Sequence, residues 1–361
     1  MARKKLLIGK VEQKFMQDYL NNPSPVGYES EGQKIWLKYI KQYTDTHIVD
    51  NYGSVAAIIN PKAKFKVVIE AHADEISWAV HYITKEGFIH PMRVGGSDHQ
   101  IAPSKRVNIH TESGVIKAIF GWPAIHTRKT KEEIPALKNI FLDIGAASKQ
   151  EVLDMGIKVG DPITYEDELT MLNDKFYVGR ALDNRMGGFM IAQVARLLKE
   201  SKKKLPFALY IVNAVQEEVG LRGAHMMAER IKPDVAIITD VTHDTHTPMI
   251  NKIVEGDVKC GLGPSLTVGP AVHRKLYKLI EGVAATNKIN IQREVVSRGT
   301  GTDTDSFAYS NGGVPSALIS LPLRYMHTTV ESAAKEDIEA VINLIYQSLL
   351  KITPKTNFKY L

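Results

Sequence analysis

The 361-residue chain predicts an α/β fold: a mostly parallel central sheet flanked by helices, with a small β-barrel-like domain inserted into it. Two observations carry this expectation. From Met171 onward, strand-sized apolar runs alternate with segments of helical periodicity, as in a parallel sheet covered on both faces. Between residues 77 and 167 the texture changes to short β-like runs separated by Gly, Pro and Ser, the pattern of a separate small β domain. At roughly 100–200 residues per domain, the length also calls for two cores. The organisation that follows is an α/β unit built from residues 1–76 and 168–361, with a β domain at 77–167.

The elements follow in order. A first helix lies within residues 10–21, and a second follows the break at Pro23 and Pro25. Its face is marked by Trp36, Tyr39, Ile40 and Tyr43, which recur at i, i+3, i+4 and i+7. Residues 48–60 and 65–71 read as strands. In the insertion, residues 106–110, 115–120 and 140–143 are β-like. Residues 186–198 form a helix with Met190, Val194 and Leu198 on one face. Residues 207–215 form a buried strand, 224–230 a short helix and 235–239 another strand. Residues 276–287 are helical, 316–321 a strand, and the last helix presents Ile338, Val341, Ile342 and Ile345.

Composition removes several classes of function. With 44% hydrophobic and 24% charged residues, the chain is neither disordered nor fibrous. No apolar run approaches the ~18 residues of a membrane span, so no membrane partner is expected. The N-terminus is basic but lacks the apolar core and cleavage site of a secretory signal, which predicts a cytoplasmic protein. The single cysteine, Cys260, excludes an internal disulfide and a Cys-based zinc site, and reads as a packed residue. The formal charge of +6 is spread out, with short runs at Arg3-Lys4-Lys5 and Lys202-Lys203-Lys204. Without a recognisable nucleic-acid motif, these runs read as solvated surface, and no nucleic-acid partner is expected.

In open α/β sheets, ligands bind beyond the carboxyl ends of the strands. Four of the predicted strand ends deliver a His or a carboxylate. His72, Asp74 and Glu75 follow one strand, Glu217 and Glu218 another, Asp240 a third and His327 a fourth. Asp183 stands in a Gly-Arg-Ala-Leu-Asp-Asn stretch that leads into a helix. There is no G-x-S-x-G nucleophile elbow, no phosphate-binding loop and no dinucleotide fingerprint. Imidazoles and carboxylates without thiolates suit hydrolytic zinc, cobalt or manganese. Spacing alone leaves a metal site and a set of ordinary capping residues about equally favoured, because no two ligands form a compact motif.

The segments AHADEI, GRALDNRMGG, QEEVGLRGA, TDVTHDT and LPLRYMHTTVES, in this order, closely resemble the M42 family of metallo-aminopeptidases, which includes glutamyl and tetrahedral TET aminopeptidases. Some members of that family carry an older endoglucanase M label. The resemblance extends into the insertion through FLDIGAASKQEV and GIKVGDPITY. It implies a zinc-exopeptidase-like fold that removes the N-terminal residue of peptides with two divalent metal ions per subunit, zinc or cobalt before manganese. Asp183 would bridge the ions, His72 and Asp240 would hold one, and Glu218 and His327 the other. Glu217 would be the general base, and Asp74 a catalytic residue acting as the partner of the His72 ring.

Charge supports this ligand set: Asp183, Glu218, Asp240 and one hydroxide balance two divalent ions. Adjacent strand residues face opposite ways, which would leave Glu217 free while Glu218 binds metal. The resemblance further implies homo-oligomers, dimers or dodecamers built from dimers, with the β domain serving assembly and substrate access. Ala73 and Ser77 depart from the family's frequent Met and Gly, which bears on pocket shape or packing.

The histidines of the insertion, His81, His90, His99, His110 and His126, match no ligand spacing and read as structural or surface residues. His243 and His246 are candidates to line the pocket, not to bind metal. The stretch from Gly299 to Asp305 contacts substrate or builds turns, with equal weight on each. Competing readings are another two-metal amidohydrolase such as a deacylase or dipeptidase, a non-catalytic binding or scaffold protein, and a metal-independent glycoside hydrolase.

Overall fold

The computed structural model describes residues 7–128, 130 and 134–361. The Arg3-Lys4-Lys5 run lies outside the described residues. Two β structures organise the chain: an 11-stranded open sheet and a closed six-stranded barrel.

The centre of the sheet is four parallel strands, in the order Ala208–Ala214, Lys66–His72, Val235–His243 and Ser316–Arg324. Their residues are almost all buried, as expected for strands covered on both faces. Each fully buried Val, Leu or Ile contributes about 1.5–3 kcal/mol. The flanks run antiparallel. Val55–Ile59 and Thr46–Val49 extend one edge, and Glu331–Ala334, Phe176–Gly179 and Thr170–Leu172 extend the other. The parallel expectation therefore holds for the middle of the sheet, where helical crossovers connect the strands. The edges are joined partly by tight turns, which only antiparallel neighbours allow.

One such turn corrects a boundary. Residues 48–60 form a hairpin, not a single strand. Asp50 accepts hydrogen bonds from the backbones of Tyr52 and Ser54 through Oδ1 (2.8 and 3.0 Å), and Gly53 takes φ +99°. Two other strands outrun their predicted ends. Asp240 lies inside the strand Val235–His243, and Ser316–Arg324 continues past Pro322, because the two pair in parallel register as far as His243 and Leu323.

Alternation along the central strands divides the core into two layers. Val67, Ile69 and Ala71 face a core shared with helices Lys10–Asn21, Ser30–Ile40, Leu182–Ser201, Arg274–Asn287 and Lys335–Leu349. Val68, Ala236, Ile238 and Leu318 face the opposite core, covered by the shorter helices Arg222–Ile231 and Asp303–Ala308. Continuing that second alternation toward the carboxyl ends brings Glu70, His72, Asp240 and Thr242 to the same face.

The barrel joins Ser77–Ile83, Ile89–Val94, Phe141–Asp143, Gly114–Gly121, Arg106–Thr111 and Pro162–Tyr165 in a ring. Its separate core contains Trp78, Ile89, Val107, Ile109, Phe120, Leu142 and Ile163. The Trp78 indole donates to the Tyr165 hydroxyl at 3.2 Å, which satisfies its buried N–H. Among the described residues, no helix is long and apolar enough to cross a membrane. Lys202, Lys203 and Lys204 are exposed, and Cys260 is buried with its thiol against the Pro322 carbonyl.

Candidate metal centre

His72 closes its strand, and its Nε2 lies 3.2 Å from Asp183 Oδ1. The other Asp183 oxygen, Oδ2, lies 3.3 Å from His327 Nε2. One carboxylate thus presents one oxygen to each of two imidazoles. Glu218 Oε1 lies 3.5 Å from the same His327 nitrogen. Asp240 Oδ1 and Glu217 Oε2 lie 4.0 and 3.9 Å from His72 Nε2. All six side chains line one cavity of about 870 Å³ at the carboxyl ends of the central strands.

The backbone around each residue has a local cause. Asp183 stands at the start of helix Leu182–Ser201 but outside helical geometry (φ −76°, ψ 113°), across a cis peptide to Asn184. The Asn184 side chain donates to the Thr239 carbonyl at 2.6 Å. Glu75 receives Arg180 and approaches Arg185, and so holds the segment before and after Asp183 against the loop at Ser24.

Glu217 and Glu218 are not on a strand. The strand stops at Ala214, Gln216 takes φ +58°, and the chain turns. The expected opposition of the two side chains across a pleat therefore does not apply. Asp74 shapes this turn: its Oδ1 and Oδ2 accept the backbone N–H groups of Glu217 and Glu218 at 3.0 and 3.1 Å. Asp74 Oδ1 also lies 3.4 Å from His72 Nδ1. A buried carboxylate that orients a histidine ring is the usual support of a metal-ligating imidazole.

Two residues of this site escaped the sequence reading. Glu331, fully buried, accepts the His327 N–H through Oε1 (2.7 Å) and the Asp183 N–H through Oε2 (3.0 Å). It ties two distant segments together at the proposed bridge. Its sequence signal is a Glu four residues beyond His327 in an otherwise small and apolar strand. The second is Gly96, in a loop of the barrel region. A Cβ on Gly96 would lie 2.4 Å from His327 Nδ1. The loop at Gly96 therefore packs directly against the His327 ring. Gly96→Ala should displace the His327 ring and weaken divalent-metal affinity about 10–100-fold, the scale of disturbed ligand support. Metal titration followed by calorimetry is the check.

The electrostatics call for added positive charge. Burial pushes Glu217 up to about 10, opposed by His72 and reinforced by Asp303, Asp240 and Glu218. Burial likewise lifts Asp240 to about 7, with Asp183 adding repulsion. His327 moves the other way from what burial alone would cause: Asp183 and Glu218 raise it to about 11. Acids held protonated and a histidine held charged are what crowded carboxylates produce. A divalent cation removes that conflict, and the donor set of imidazole and carboxylate without thiolate suits one. Donor atoms of His72, Asp183 and Glu218 already lie within 4.8 Å of one another.

The other predicted residues are placed as follows. His243 lines the cavity, whereas His246 pairs with Asp257 at 2.6 Å. Of the insertion's histidines, His110 bonds Thr164, and none belongs to a metal-competent group among the described residues. In the stretch from Gly299 to Asp305, Thr300, Gly301 and Thr302 line the cavity. Thr302 caps the helix Asp303–Ala308, Asp305 accepts the Thr300 N–H, and Asp303 is buried against Glu70.

Comparison with known proteins agrees with this architecture. The profile of the M42 glutamyl aminopeptidase family matches residues 53–344. A lysyl aminopeptidase of Pyrococcus furiosus is 31% identical over 348 residues, covering 95% of this chain and 98% of that protein. A TET aminopeptidase from a marine sediment archaeon of the Thaumarchaeota superposes with a TM-score of 0.91 at 29% identity, covering 96% and 97% of the two chains. The TET1 peptidase of Pyrococcus horikoshii, which can assemble into a tetrahedron or a large octahedral shell, superposes with a TM-score of 0.84 at 26% identity, covering 94% and 100%. The chain is an aminopeptidase homologue and belongs to the M42 family of peptidases.

Proposed function

We propose that this chain is a two-metal aminopeptidase that hydrolyses the first peptide bond of peptides with a free amino terminus. The observation that carries the proposal is Asp183, whose two oxygens face His72 and His327 separately. Asp183 would bridge two divalent ions, zinc or cobalt before manganese, with His72 and Asp240 on one and Glu218 and His327 on the other. When bound, the ions supply Lewis-acid activation of water and of the scissile carbonyl.

The remaining work falls to the chain's own residues. Glu217 is the one carboxylate of the six not assigned to metal, and it lines the same cavity. It takes the proton from the attacking water and delivers it to the nitrogen of the leaving peptide. Asp74 keeps the His72 ring oriented and fixes the turn that presents Glu217. Glu331 holds the Asp183 and His327 backbones in one place.

Cleavage at the terminus requires an anchor for the α-amine. A metal or one of the surrounding carboxylates would provide it, and anchoring turns binding energy into orientation of the first carbonyl. Paired hydrolysis of one short peptide, free and N-acetylated, tests this, with products identified by mass. The free peptide should lose single residues from its amino end, and the acetylated one should react far more slowly. Equal rates, or a first cut inside the peptide, would contradict the aminopeptidase reading and leave a broader amidohydrolase.

The proposal extends to organisation. Residues 1–76 with 168–361 form the catalytic unit, and 77–167 the assembly and access unit of a homo-oligomer. Large assemblies of a related TET peptidase support this, as does the contact of Gly96 with His327.

A further inference from the structure

The nature of the first side chain is not decided by kinship: the family description names a glutamyl enzyme, and one close relative is named for lysine. The two carry opposite charge. The cavity of this chain has its own features that bear on the choice.

In a branch of the sheet, Ser265–Val268 pairs antiparallel with Ser316–Arg324 and in parallel with the short strand Gln292–Val295, Glu294 lying opposite Thr267. Alternation sends its neighbours to opposite faces. Arg293 turns to the helix Arg274–Asn287, where it forms an ion pair with Glu281. Glu294 lines the cavity, and Arg293 does so while held in its ion pair. Its Oε2 accepts the Thr242 hydroxyl at 2.5 Å, and its Oε1 accepts the fully buried Thr267 hydroxyl at 2.7 Å. Two hydroxyls thus fix the direction of the carboxylate.

Its place relative to the proposed metals follows from the strand. Thr242 is two residues beyond Asp240 on the same face, about 6–7 Å along at a strand rise of ~3.3 Å per residue. The same cavity wall also carries aliphatic side chains, among them Ile253, Val254, Val268 and Val296. The remaining charged residues of the wall offset Glu294 little. Arg293 is engaged by Glu281, Glu255 is exposed and acidic, and His243 is exposed. The cavity therefore combines aliphatic side chains with a fixed negative charge on one wall.

That arrangement matches one class of side chain. A lysine or arginine lays its methylene stem along apolar surface and keeps its charged head on a polar partner. A glutamate would face like charge, which costs affinity and selects against it. Resting on the aminopeptidase reading above, we infer that Glu294 is the specificity-determining residue of the cavity, and that this chain acts on peptides beginning with lysine or arginine.

The test uses the full-length, metal-loaded protein and three chromogenic amides, of lysine, norleucine and glutamate. Norleucine keeps the aliphatic stem and lacks the ammonium group. The expected kcat/KM for lysine exceeds that for norleucine by tenfold or more, with glutamate below both. The lysine-to-norleucine ratio should fall as salt rises, because the discrimination is electrostatic. In Glu294→Gln the ratio should drop by about tenfold or more, toward one. Wild-type protein that cleaves norleucine or glutamate as well as lysine overturns the inference without any variant. So does a ratio that Glu294→Gln leaves unchanged. Loss of the inference alone leaves norleucine or glutamate hydrolysis intact. If none of the three is cleaved while an acetylated peptide is, the aminopeptidase reading itself falls.

Discussion

Glu217→Gln should retain the wild-type metal content and lose about 10²–10⁴-fold in turnover, the usual scale for removing a general acid–base group. The substitution is nearly isosteric, and no ligand is removed under the proposed assignment. The Glu217 backbone N–H that Asp74 holds at 3.0 Å is unaffected, so the turn should persist. What disappears is the carboxylate that can accept a proton beside the reacting carbonyl. Elemental analysis of the purified variant, together with kcat on a lysyl amide, measures both halves of the expectation. A variant that binds metal poorly would make Glu217 a ligand instead of a base.

Asp183→Asn should impair retention of both ions together and abolish activity. Its carboxylate lies between two histidines, 3.2 Å from one and 3.3 Å from the other, so both halves of the site share it. The amide keeps one oxygen, turns the other position into an N–H donor and removes the charge that favours two cations. Restoring metal in excess should recover little. The contrast with Glu217→Gln is the decisive comparison: one variant keeps its metal and loses chemistry, the other loses both. If Asp183→Asn held two ions per chain, the bridge would be wrongly placed.

Much of the scaffold was legible in the sequence because local rules agreed with the tertiary outcome. The helix Lys10–Asn21, the last helix with Ile338, Val341, Ile342 and Ile345 inward, and the buried strand Ala208–Ala214 all follow from apolar periodicity. Boundaries set by long-range pairing did not. Val235–His243 and Ser316–Arg324 run past their predicted ends because each supplies the other's hydrogen bonds, which neither segment reveals alone.

The sequence alone determined the chemical types available: imidazoles and carboxylates at the carboxyl ends of strands, with the sole thiol away from the group. Their order in motifs also identified the family. The tertiary structure decided how those groups meet. Glu217 and Glu218 share a cavity because Gln216 turns the chain and Asp74 grips both backbone N–H groups, a bond made across 143 residues to Glu217. Glu331 matters because it joins Asp183, 148 residues away, to His327. Glu294 gains a role because Thr242 and Thr267 hold it at the edge of the same cavity. Periodicity reports which face of an element is buried. It carries no record of which distant backbone a buried carboxylate will grip, because that choice is set by the packing of the whole sheet.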